Sequence, residues 1–189
     1  MRRLSRGRKP AEGSALLEFA IVLPLLVVFI VGIYDFSGAY NEKQKIEHAA
    51  LAGAAVAAGQ PTGDRDPSNS NPESLQSVVN VIFNSLAADG VLPQANQGNC
   101  TANAAAATNS QLRWTYTISD CAAPLTDPLT MVIDRGVVVA GSPSMAFTSV
   151  TVSFRYHWRF NSVIQLLIPG ASYAAFTDLS QTATVHNQT

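Results

Sequence analysis

From Phe19 to Tyr34 the chain carries no charged side chain, and its apolar positions follow one another without the gaps that would leave a polar face. Extended back to Ser14, the run holds 21 residues with one acid, Glu18, and one proline, Pro24. That is about the length a helix needs to cross a hydrocarbon core of roughly 30 Å. Pro24 predicts a kink rather than an end, because local adjustment and neighbouring helices satisfy the carbonyl a proline frees inside a span. The helical pattern continues past the apolar run. "NEKQKIEHAALAGAAVAAG" is rich in helix formers, with Glu42 and Lys45 three apart and Lys43 and Glu47 four apart. Span and stalk are therefore expected to form one helix over 14–59. The outer half is nearly all small residues: Ala49, Ala50, Ala52, Gly53, Ala54, Ala55, Ala57 and Ala58. Small residues let a second helix approach closely, although plain alanine helix propensity accounts for the same composition.

Gly59 and Pro61 end this pattern, and the turn-forming residues of 60–73 read as a linker. Next, Leu75, Val78, Val79, Ile82, Phe83 and Leu86 recur at the spacing of one helical face, with Asn71 or Ser70 as N-cap, Pro72 in the first turn and Gly90 as the stop. Residues 93–110 read as a low-complexity loop. Beyond them the period changes to two: "QLRWTYTIS" and "TSVTVSFRYHWRF" alternate apolar and polar positions as half-buried antiparallel strands do. "MVIDRGVVVA" and "ASYAAFTDLSQTATVH" are weaker strand candidates, with "SVIQLLIP" a short helix or loop between them. The expected class is α+β: a long transmembrane-plus-stalk helix, a second amphipathic helix and an antiparallel sheet of three or four strands, the last two within 74–189.

Charge changes the picture by giving it a direction. The overall formal charge is −1, but residues 1–13 hold Arg2, Arg3, Arg6, Arg8 and Lys9 against Glu12 alone, a net of +4, which leaves −5 on the remainder. Short basic flanks stay in the cytoplasm, so 1–13 is expected inside and everything after Tyr34, including 74–189, outside. The basic segment is a leader and not a nucleic-acid patch. Cys100 and Cys121 then fall in an oxidising compartment, where an even count favours a disulfide; two unpaired small residues fit the sequence as well. His48, His157 and His186 show no ligand spacing, no glycine-rich phosphate loop follows a strand, and no G-x-S-x-G occurs. Neither an enzyme nor a cofactor is expected.

The basic leader ending in Gly13, the small and apolar Ser14 to Leu17, then Glu18 and Phe19 opening a single apolar helix, look like the class III signal of type IV pilin-like proteins. More narrowly, "GSALLEFAIVLPLLVVFIVGIYDFSGAYNEKQKIEHAALAGAA" resembles the TadE-like pseudopilins of tight-adherence (Flp) pilus systems, with Gly13, Glu18, Phe19, Ala20, Pro24, Gly32, Asp35, Ala49, Ala50 and Gly53 where that pattern places them. The resemblance implies cleavage after Gly13 by a prepilin peptidase, a mature chain starting at Ser14, and a single-pass inner-membrane subunit with a periplasmic domain that works with other pilins or pseudopilins. Glu18, beside Phe19, would pair with the α-amine of a neighbouring mature subunit, since a charge pair in hydrocarbon costs far less than either charge alone. The alternative from another class is a signal-anchored periplasmic binding or adhesion module that keeps residues 1–13 and offers an aromatic strand surface near Trp158.

Overall fold

A computed structural model of the chain describes residues 11–61, 63–64, 66, 68–69, 71–92, 101–105, 112–119, 127–138, 146–160, 164–165, 170 and 176–188. The elements are helices α1 (Ala11–Ala58) and α2 (Glu73–Ala88), followed by strands β1 (Thr101–Ala105), β2 (Arg113–Ser119), β3 (Leu129–Val138), β4 (Ala146–His157) and β5 (Phe176–His186). Two compact units result. One comprises Met1–Gly38 with Trp158–Ala175, the other Ala39–His157 with Phe176–Thr189.

In the larger unit the strands pair antiparallel in the order β1-β2-β3-β4-β5, an uninterrupted meander. Register fixes which side chains share a face. Trp114 lies opposite Ile133, Ile133 opposite Val150, and Val150 opposite Ala183, so one buried row crosses four strands. Tyr116, Met131 and Val152 form the next row. These rows join one core with Ile46, Ala49, Ala50, Ala54 and Ala57 of α1 and with Leu75, Val78, Ile82 and Leu86 of α2. The stripe foreseen on α2 is thus core. The alanine-rich stalk also does what its composition suggested, and the helix it packs against is α2 of the same chain: a Cβ placed on Gly53 would lie 2.5 Å from Ile82 Cγ1. On the opposite face of the sheet, hydroxyl pairs cross from β4 to β5, Thr151 with Thr182 at 2.8 Å and Ser153 with Ser180 at 3.0 Å.

The α+β expectation holds, with three differences of detail. Thr101–Ala105, inside the stretch read as a loop, adds an edge strand paired in register from Thr101↔Ser119 to Ala105↔Thr115. Its sequence, "TANAA", offers no alternation of large apolar and polar residues to detect, whereas its backbone register to β2 makes it a strand. Second, β4 ends at His157, so Trp158 and Phe160 leave the sheet although the alternation runs on through them. Third, α2 takes its cap from the linker: Ser74 N–H donates to Asp64 Oδ2 at 2.8 Å. Asn71 instead accepts from the Gln76 side chain, and Ser70 lies outside the described residues. Gly90, at φ 72°, closes α2 in the left-handed region as expected.

Candidate functional site

The first turns of α1 gather the residues singled out for processing and assembly. The helix begins at Ala11, so Gly13 and Ser14 both sit within its first turn. Four residues apart, Ser14 and Glu18 share one side of the helix, and the Ser14 hydroxyl donates to Glu18 Oε1 at 3.3 Å. Around them Leu16, Leu17, Phe19 and Ile21 are exposed, and further along Leu25, Phe29, Ile30 and Ile33 are exposed in turn. A helix apolar on every side and unburied presents its surface to lipid or to other helices. It is the one helix among the described residues long and apolar enough to cross a membrane.

The same unit contains a second arrangement, at the outer end of the apolar run. Asp35 is 2% exposed, and its Oδ2 accepts the Phe160 backbone N–H at 2.8 Å. One residue on, the Phe36 ring meets Trp158 at a centroid distance of 5.6 Å and an interplanar angle of 41°. With Gly32, these residues line a cavity of about 220 Å³. Sequence reasoning placed Asp35 in a pattern without a task; the signal it overlooked was an acid set directly against the end of an apolar run, where it must find a donor.

Against this geometry stands one family match. The model of the family described as TadE-like protein covers residues 13–55. This segment is TadE-like. The match begins at Gly13 and takes in Glu18, Pro24, Asp35 and Gly53. Nothing among curated proteins or solved structures matches the chain.

Beyond the TadE-like segment, the larger unit secures the exit of α1. The alternation that buries Leu129, Met131 and Ile133 also turns Arg135 inward, where it is fully buried. Its guanidinium donates to Gln60 O at 2.7 Å, Pro61 O at 3.0 Å and Ser74 Oγ at 3.1 Å, so one side chain of β3 holds the end of the stalk to the start of α2. Asp64 completes the arrangement. Desolvation acts to raise its pKa, but hydrogen bonds from the Ser74 N–H and hydroxyl, from its own backbone, and the Arg135 charge outweigh that and hold it below the ordinary 3.8. Tyr116 nearby is pushed up to about 12 by burial and by the Asp64 charge. None of this is poised for proton transfer near neutral pH.

A further charged group lies on β4 and β5. Arg155 reaches Asp178 at 3.1 Å and Asp127 at 3.4 Å, and its guanidinium lies 4.4 Å from the Phe176 ring centroid. His157 bonds Asp127, which lowers the Asp127 pKa against a smaller desolvation effect. Mutual pairing satisfies these groups, and among the described residues no three His, Cys, Asp or Glu side chains are placed to share a metal ion. Of the sites expected from sequence, Gly13, Ser14, Glu18 and Phe19 come together on adjacent turns. Cys100 and Cys121 lie outside the described residues.

Proposed function

We propose that the chain is a pilin-like assembly subunit, a minor pilin or pseudopilin, of a tight-adherence pilus, made as a precursor and cut after Gly13 by a prepilin peptidase. Residues 1–13 are the cytoplasmic leader, 14–59 the membrane and stalk helix, 60–73 the linker and 74–189 the periplasmic domain. The observation that carries this reading is the register of Gly13, Ser14 and Glu18 on an exposed apolar helix end whose residues match a TadE-like family. Glycine suits a scissile position because it has no side chain to exclude from a narrow cleft. Cleavage would also remove the net +4 that anchors the chain on the cytoplasmic side, freeing the subunit to leave the bilayer.

Glu18 is the proposed assembly group. Ser14 sits one turn before it on the same side, so the carboxylate lies level with the new terminus, where the α-amine of an adjacent subunit would arrive. The test has two arms. Intact mass of protein from cells with and without the peptidase should show a mature chain starting at Ser14 only in the former, and Gly13→Leu should stay uncut in both. Glu18→Gln should insert and be cut yet fail to co-purify with its pilin partners. An uncut leader in peptidase-positive cells, or full assembly by the Gln variant, would overturn the corresponding arm.

A further inference from the structure

We propose that the Phe36, Trp158 and Phe160 cluster clasped by Asp35 is a bilayer-interface anchor, a site that takes the glycerol and upper acyl region of phospholipid. The inference rests on reading Ser14 to Tyr34 as a span. Depth is the first argument. At 1.5 Å per residue that span covers about 31 Å, so Gly32, two residues inside its outer end, and Phe36, two residues past it, bracket the boundary between acyl chains and headgroups. Composition is the second. Tyr34 and Phe36 are 70% and 71% exposed, Trp158 stands beside Phe36, and the exposed Arg159 follows. Amphipathic rings with a cation within reach of phosphate are the residues favoured at this level. The chain also carries no charged residue from Phe160 to Thr177.

The clasp supplies the third argument. Phe160 is helical, and the first N–H groups of a helical turn have no partner within it, so in a region poor in water each must be met from outside the turn or cost several kcal/mol. Asp35 meets that demand for Phe160 N–H at 2.8 Å. A carboxylate 2% exposed in this position thus holds a second chain segment at headgroup depth beside the span. The cavity of about 220 Å³ between Gly32, Asp35, Phe36, Trp158 and Phe160 has the size and apolar walls for a few methylenes of an acyl chain.

The chain has two tryptophans, and the other, Trp114, is fully buried in the sheet core, so Trp158 is separable by fluorescence. The full chain in phosphatidylethanolamine and phosphatidylglycerol vesicles should lose emission to lipids brominated near the glycerol end, less to lipids brominated mid-chain, and Trp158→Phe should abolish the loss. Asp35→Ala should shift Trp158 toward quenching by aqueous iodide, whereas Asp35→Asn, which keeps an acceptor oxygen, should not. Equal lipid quenching with and without Trp158, iodide quenching in the parent protein, or shielding that grows with protein-to-lipid ratio and so reports a second copy, would each overturn the anchor. Resistance to alkaline carbonate is scored in parallel. A chain that resists extraction but lacks lipid quenching refutes the anchor alone, and a chain that is extracted refutes the span as well.

Discussion

Gly53 is the position where the match of stalk to domain is tightest. It lies on α1 facing α2 and the sheet, and a Cβ there would stand 2.5 Å from Ile82 Cγ1, 2.6 Å from Ile82 Cδ1 and 3.5 Å from Val150 Cγ1. Two effects oppose each other in Gly53→Ala. Helix propensity favours alanine over glycine by about 1 kcal/mol in a helix interior. Overpacking a filled core costs roughly 1–3 kcal/mol. Ile82 is fully buried and Cγ1 sits close to its backbone, so the side chain has no open direction in which to yield. The upper part of that range applies, and Gly53→Ala should lose about 1–2 kcal/mol net, with Gly53→Val losing more. Ile82→Ala alone should cost about 2–5 kcal/mol, but combined with Gly53→Ala the total should fall short of the sum by 1 kcal/mol or more, the signature of a shared space. Urea unfolding of the full chain in detergent micelles, followed by the emission of buried Trp114, measures all four members of the cycle. A Gly53→Ala protein as stable as the parent, with strict additivity in the double variant, would refute the close-packing argument.

Removing the guanidinium by Arg135→Met leaves Gln60 O, Pro61 O and Ser74 Oγ without their buried donor, and should cost about 3–5 kcal/mol; an unchanged unfolding midpoint, with no new proteolytic cleavage in 60–73, would count against the clamp. Because the Asp64 pKa is depressed on folding, its contribution is complete above about pH 4 and fades as pH falls through the folded value. Asp64→Ala should therefore lose roughly 1 kcal/mol of capping at neutral pH and show a flatter acid limb in stability against pH, and a parallel acid limb would refute the assignment. Cys100 and Cys121 lie outside the described residues, and the even count alone predicts that they pair. Protein from the periplasm should contain their disulfide, closing a loop of about 20 residues worth roughly 3 kcal/mol, and two free thiols by non-reducing mass analysis would exclude it.

How far the chain could be read follows from where side-chain periodicity carries the information. The span, the stalk and α2 announce themselves because an unbroken apolar run or a 3.6-residue stripe has few other uses. β2 and β4 do so through period two. The edge strand at Thr101–Ala105 was illegible because its pairing to β2 is made by backbone groups that every residue possesses. Trp158 and Phe160 misled for the opposite reason: they continue the alternation of β4 while belonging to the other unit. The inward parity of Arg135 after Leu129, Met131 and Ile133 was visible in the sequence, but its partners, two carbonyls and a serine more than 60 residues away, were not. Long-range polar contacts have no period.

The two carboxylates that flank the apolar run of α1 show the same boundary, and it separates their roles. Glu18 and Asp35 stand 17 residues apart, about 25 Å along the axis at 1.5 Å per residue, one toward each end of the span. An ionised carboxylate has about four lone-pair sites, and at membrane depth each must be met by a donor or carried at a cost. Asp35 is met within the chain: it is buried and accepts a backbone N–H at 2.8 Å. At Glu18 the described partner is a neutral hydroxyl at 3.3 Å on an exposed surface, a long bond from a weak donor, with lone pairs left over. A carboxylate satisfied internally can serve to hold a segment in place, whereas one so thinly satisfied gains most from a cation brought by another molecule. The α-amine that the proposed cleavage after Gly13 would expose is such a cation, and it would arise at the depth of Glu18 only on a processed neighbour lying alongside. Under the proposed function processing and assembly would be one event chemically, and the Glu18→Gln variant tests whether the charge, rather than the size or hydrogen bonding of the side chain, couples them.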